Sequence, residues 1–234
     1  MWRLLVGLVA VLAVACSKQS QPPAKAAEAS PSAGPVQPAA ASVEAAPARR
    51  PRIVVLGDSL TAGYGIDLEQ AVPALLQQRL DEGRYGYEVV NAGVSGDTSA
   101  GGLRRLEWSL EGDVRILVLE LGANDGLRGL PVAAMKANLK EIIRTAKRRG
   151  IEVLLTGMEA PPNYGPAYTA EFRRVFRDLA GEERVAFLPF YLDGVAGNSS
   201  LNIADGMHPN PAGARIVEAN VWKALEPMLA RQRP

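Results

Sequence analysis

Five short apolar runs, at 52–57, 87–91, 115–121, 151–157 and 184–189, follow one another along the chain with longer helical patterns between them. None shows regular polar alternation. Runs such as Arg115-Ile116-Leu117-Val118-Leu119-Glu120-Leu121 and Ile151-Glu152-Val153-Leu154-Leu155 therefore read as strands covered on both faces, the situation of a parallel sheet. Helical spacing appears near 69–81, 98–110, 131–149 and 167–181, with a closing helix near 211–230. Pro131 and Pro211 suit a first helical turn, and Gly150 sits where a helix would stop. This strand–helix alternation predicts an α/β fold with a doubly wound parallel sheet and right-handed crossovers.

Such a sheet binds its ligands outside the carboxyl ends of its strands. The polar clusters of the sequence fall there: Gly57-Asp58-Ser59 after the first run, Asn91 to Asp97 after the second, and Gly122-Ala123-Asn124-Asp125-Gly126 after the third. Asp205 and His208 lie in the loop before the last helix, which can return to the same edge.

His208 is the single histidine of the 234 residues, so any imidazole chemistry has one candidate. A hydrolytic serine needs such a base, because its hydroxyl is a poor nucleophile until something accepts the proton. Ser59, at a strand-to-helix turn, is the best partner, although a serine or aspartate in that place also serves as a plain helix cap. Asp205, three positions before His208, can orient one ring nitrogen while the other faces outward. Gly96 offers a backbone N–H that a substrate can approach closely, and Asn124 an uncharged amide donor. With the Ser59 N–H they would form a three-donor oxyanion hole, though Gly96 and Asn124 equally suit tight turns. No Gly-x-Ser-x-Gly occurs, which excludes the usual α/β-hydrolase elbow.

The stretches Gly57-Asp58-Ser59-Leu60-Thr61-Ala62-Gly63-Tyr64-Gly65, Asn91 to Thr98, Glu120 to Gly129 and Asp205-Gly206-Met207-His208-Pro209-Asn210 resemble, in order, the four motif blocks of the SGNH, or GDSL, hydrolases. The similarity covers essentially all of 52–230 and is closest to the bacterial branch of arylesterases and multifunctional thioesterase/lysophospholipases. It implies a three-layer αβα fold of flavodoxin-like type around a five-stranded parallel sheet. It also implies Ser59 as nucleophile, Asp205 and His208 as the rest of a triad, and Gly96 and Asn124 as oxyanion donors. Ala123 stands where some relatives have a second glycine. The stretch 158–168 resembles that branch's substrate-side loop. Pro161 and Tyr164, together with Tyr64, Leu127 and Met207, would wall an acyl or aryl pocket or simply cover the sheet edge.

The expected activity is a cofactor-free serine esterase acting on esters or thioesters through an acyl-enzyme. One histidine, one cysteine and no clustered ligands argue against a catalytic zinc site. The alternatives are a carbohydrate O-deacetylase of the cell envelope and a non-catalytic envelope lipoprotein. A formal charge of +1 and the lack of an aromatic-interleaved basic patch give nucleic-acid binding little support. Arg104-Arg105 and Lys147-Arg148-Arg149 read instead as solvated helix faces and helix C-terminal charges.

Residues 1–15 read as an export signal whose apolar run is too short to span a bilayer. Cleavage after Ala15 would leave Cys16, the only cysteine, at the new N-terminus. That position resembles the lipobox of bacterial lipoproteins and implies membrane attachment through a lipidated Cys16; secretion with a free thiol is the simpler alternative. The Ala/Pro-rich stretch 16–50 has no aromatic residue and reads as a disordered tether, leaving 51–234 as one catalytic domain.

Overall fold

The computed structural model describes residues 50–231; the signal, Cys16 and tether expected from the sequence lie outside the described residues. Its strands are β1 (Arg52–Gly57), β2 (Glu88–Gly93), β3 (Val114–Glu120), β4 (Glu152–Thr156) and β5 (Ala186–Leu188). They form one parallel sheet in the order β2-β1-β3-β4-β5. The helices are α1 (Ser59–Ala62), α2 (Val72–Glu82), α3 (Ser99–Arg104), α4 (Leu106–Ser109), α5 (Ala123–Leu127), α6 (Val132–Arg148), α7 (Pro166–Glu183) and α8 (Pro211–Arg231). Among the described residues no helix is long and apolar enough to cross a membrane.

The continuous apolar runs have the cause expected of them. Ile53 to Leu56 of β1 and Ile116 to Leu119 of β3 are buried at every position, so both faces of the central sheet are covered. Helix α2 packs with α8, while α3, α6 and α7 form a second packed group. The edge strands β2 and β5 are only partly buried.

Two elements differ from the sequence expectation. The helix predicted over 98–110 breaks at Arg105, whose φ of −104° and ψ of 7° separate α3 from α4. Pro131 is the N-cap of α6 rather than its first residue. Gly150 does sit past the α6 end, with φ of +74°.

The strand order reverses direction between β1 and β3, the switch point at which the carboxyl ends of neighbouring strands open a crevice. In register there, Gly57 of β1 faces Gly93 of β2 on one side and Glu120 of β3 on the other. A Cβ on Gly93 would meet the backbone of α1 at 2.3 Å from the Ala62 nitrogen, so glycine is what lets α1 lie directly on the end of β2.

Candidate active site

The chain leaves β1 at Gly57 and turns at once into α1. Asp58 caps that turn, its Oδ1 accepting from the Leu60 N–H at 3.0 Å. The helix cap weighed from the sequence is thus filled by Asp58, which leaves the Ser59 side chain available. Ser59 Oγ lies 2.8 Å from His208 Nε2, across 149 residues of sequence.

His208 Nδ1 lies 2.6 Å from Asp205 Oδ2. With the Nδ1 proton donated to Asp205, Nε2 is left to accept the hydroxyl proton. Asp205 is itself fixed, because its Oδ1 accepts from the backbone N–H groups of His208 and Met207 at 3.0 and 2.9 Å. Those two bonds, followed by the imidazole, hold its carboxyl down at about 2, so it stays ionised through the neutral range.

The loop that carries both residues is tied by side-chain amides. Asn202 Nδ2 donates to the carbonyls of Val195 and Asn198, Asn210 Nδ2 donates to Ser200 O, and the Ile203 N–H donates to His208 O. The asparagine-rich composition of this loop therefore has a structural use: it satisfies backbone groups that no strand or helix pairs.

Asn124 is the second residue of α5 beyond β3, and its Nδ2 donates one proton to Asp58 Oδ2 at 3.1 Å. A primary amide carries two such protons, and this bond uses one of them. Gly96 lies in the turn after β2 at φ of +84°, and its carbonyl accepts from Arg128 Nη2 at 2.9 Å.

Two buried carboxyl groups beneath the turn were not singled out from the sequence. Burial pushes Asp58 up to about 6, against the opposing pull of the Leu60 N–H and the Asn124 amide. Glu120, fully buried at the end of β3, is raised well above the ordinary carboxylate range by burial and then by the Asp58 charge. Its Oε2 accepts from Thr61 Oγ1 at 2.8 Å and from the Asp58 N–H at 3.3 Å, whereas Oε1 has no partner. A protonated Glu120 beside an ionised Asp58 avoids placing two like charges in one dry site.

A cavity of about 690 Å³ opens at Ser59 and His208. Leu127, Pro161 and Met207 line it, as do Leu60, Met158 and Phe190. Two of the expected wall residues stand elsewhere. Tyr64 packs against His208 with ring centroids 4.7 Å apart and planes tilted by 43°, and it lines a small depression beside the imidazole, not this cavity. Tyr164 packs over Gly129 and against Tyr168, and its hydroxyl donates to Leu127 O at 3.0 Å, so it buttresses a wall residue without reaching the cavity. The wall at Phe190, Leu192 and Ala196 went unnoticed in the sequence; the Phe190-Tyr191-Leu192 run just beyond β5 was the available signal.

Residues 55–216 match the model of the GDSL-like Lipase/Acylhydrolase family. The chain is 47% identical over 178 residues to esterase TesA of Pseudomonas aeruginosa, covering 76% of this chain and 89% of that protein. It is 40% identical over 174 residues to an arylesterase of Vibrio mimicus, covering 74% and 84% of the two chains. A crystal structure of TesA matches with a TM-score of 0.73 at 46% identity, over 76% of this chain and 99% of that one. The psychrotrophic esterase EstA from Pseudoalteromonas sp., in a structure inhibited by monoethylphosphonate, also gives a TM-score of 0.73, at 34% identity and over 76% and 98% of the two chains. With the motif-bearing turns at one switch point, the family match over 55–216 and the 47% identity across 178 residues, the chain belongs to the GDSL-like lipase/acylhydrolase family and is an ester-hydrolysing serine hydrolase.

Proposed function

We propose that the protein hydrolyses carboxylic esters or thioesters with apolar acyl or aryl groups, and that Ser59, His208 and Asp205 carry the reaction. The observation that bears most weight is the 2.8 Å contact of Ser59 Oγ with His208 Nε2 at the mouth of a cavity walled by Leu60, Leu127, Met158, Phe190 and Met207. In this reading Ser59 attacks the carbonyl carbon and passes its proton to His208, whose imidazolium Asp205 stabilises. The tetrahedral oxyanion rests on the N–H groups of Ser59 and Gly96 and on the Asn124 amide. His208 then protonates the leaving alcohol or thiol, and water repeats the cycle to free the acid.

The apolar wall favours this reading over a carbohydrate deacetylase, since a sugar would leave its hydroxyls unpaired against leucine, methionine and phenylalanine. The names of the similar proteins, an esterase and an arylesterase, point the same way. The signal-like segment 1–15 and Cys16 support export from a bacterial cytoplasm and attachment by a lipidated N-terminal cysteine.

A series of p-nitrophenyl esters of rising acyl length, run beside an acyl-CoA and a lysophospholipid, tests the substrate class. The expected result is kcat/KM rising with chain length by up to about 1–3 kcal/mol per methylene until the cavity is filled. A flat series, or turnover confined to acetylated sugars, contradicts it.

A further inference from the structure

The turn that carries Gly96 has little packing of its own. Val94 is 43% exposed, Gly96 itself is exposed, and the Gly96 N–H makes no hydrogen bond among the described residues. An oxyanion donor must nevertheless be held in place before the substrate arrives, because its value lies in needing no reorganisation when charge develops.

On its exposed side the turn is held by the Arg128 bond to Gly96 O and by the Asp97 N–H donating to Val94 O at 3.0 Å. The constraint that ties it to the Ser59 turn comes from a residue that the sequence places on a solvated helix face. At the break between α3 and α4 the Arg105 side chain, 17% exposed, runs back beneath the turn. Its Nε donates to Asp97 Oδ2 at 2.6 Å, its Nη1 to Ala92 O at 2.8 Å and its Nη2 to Gly57 O at 2.8 Å. Nη1 also lies 3.4 Å from Ser109 Oγ. One planar group thus touches the residue after Gly96, the end of β2, and the carbonyl just before Asp58-Ser59. Gly57 O accepts from the Val94 N–H as well, at 3.0 Å, closing the link between the two turns. The five fixed N–H directions of a guanidinium allow this; an ammonium on a flexible stem does not reproduce it.

We infer that Arg105 is a positioning residue for the hydrolytic reaction: by gripping Asp97, Ala92 and Gly57 together it sets the separation of the Ser59 and Gly96 N–H groups, so that both meet the same oxyanion. The inference rests on the oxyanion role proposed for Ser59 and Gly96. Arg105 does not line the acyl cavity, so its loss weakens the transition state and leaves substrate binding in place.

The test is a cycle of Arg105→Lys, Asp97→Asn and the double variant, measured on p-nitrophenyl butyrate and on an alkylboronic acid that mimics the tetrahedral state. Arg105→Lys keeps the charge beside Asp97 but cannot grip both carbonyls. The expected result is kcat lower by about 10- to 100-fold with KM within about twofold, and boronate affinity falling in parallel with kcat. Asp97→Asn should show the same split, and the double variant should be no slower than the slower single one, as for groups acting as a unit. Should Arg105→Lys not fold, the same split and boronate loss in Asp97→Asn decide the matter. Values of kcat within twofold of wild type in both variants overturn the inference, as does a fall that only follows a loss of folded protein, or one that multiplies in the double variant. A Ser59→Ala enzyme as active as wild type is a different result: it removes the catalytic reading and the inference together.

Discussion

Asp58 is where charge, burial and the proposed chemistry meet in one side chain. Its carboxylate caps α1 and holds the Asn124 amide, yet it is wholly buried and raised to about 6. An unfolded aspartate titrates near ~3.9, so between about 4 and 6 the folded protein binds a proton that the unfolded chain has released. That contribution to stability is complete below about 4 and is lost as the pH rises through about 6. Asp58→Asn has no proton to lose. Urea unfolding from pH 4 to pH 7 should therefore show wild type losing stability relative to the variant as the pH rises, by up to about 3 kcal/mol; parallel pH profiles would mean that Asp58 titrates normally. Turnover should fall in the same variant, because an asparagine presents one oxygen where Leu60 and Asn124 need two acceptors. Ser59, Asp205 and His208 stood out in the sequence because each has a recognisable short motif. The Asp58–Asn124 and Thr61–Glu120 bonds did not, because they join positions about sixty residues apart that meet only once β1 and β3 are neighbours.

The elements transmit that order through close backbone contact. Helix α1 lies on β2 with no room for a Cβ at Gly93, whose nearest neighbours would all be backbone atoms of Thr61 and Ala62. Gly93→Ala must push α1 away, at a cost of about 1–3 kcal/mol. Because α1 begins at Ser59, turnover should fall by more than the stability loss explains. Gly181→Ala, inside α7 with open space around it, is the control: it should stabilise by about 0.4–1 kcal/mol and leave turnover unchanged. Thermal unfolding and kcat on the pair decide it; equal turnover in both variants would show that the α1 seat does not matter to the reaction. At this scale the sequence was legible where periodicity was strong, as in β1, β3, α6 and α8. It misled at 98–110, where the helical pattern runs through Arg105 but the guanidinium bonds to the ends of β1 and β2 at a break between two short helices.

At the scale of the whole molecule, the family match over 55–216 and the site proposed at the ends of β1, β2 and β3 with the loop before α8 both lie within the described residues. A protein beginning at residue 51 should thus keep the thermal midpoint and kcat/KM of the full chain; if the proposed lipidation of Cys16 holds, Cys16→Ser should abolish partition into detergent or membrane. A truncated protein that unfolds or loses activity would assign residues 1–50 a part in the fold. The cavity wall at 190–197 was hidden from sequence reasoning because it belongs to a turn-rich stretch without a motif and takes its place only after β5 joins the sheet edge. The claim on which the functional reading turns is that the hydroxyl 2.8 Å from His208 Nε2 is the nucleophile. Treatment of the full-length protein with a fluorophosphonate, followed by peptide mass mapping, measures this directly: the adduct should sit on Ser59, form far more slowly in His208→Ala, and be absent from Ser59→Ala. A folded wild-type protein that carries no adduct on Ser59, or carries it on another serine, would contradict the account.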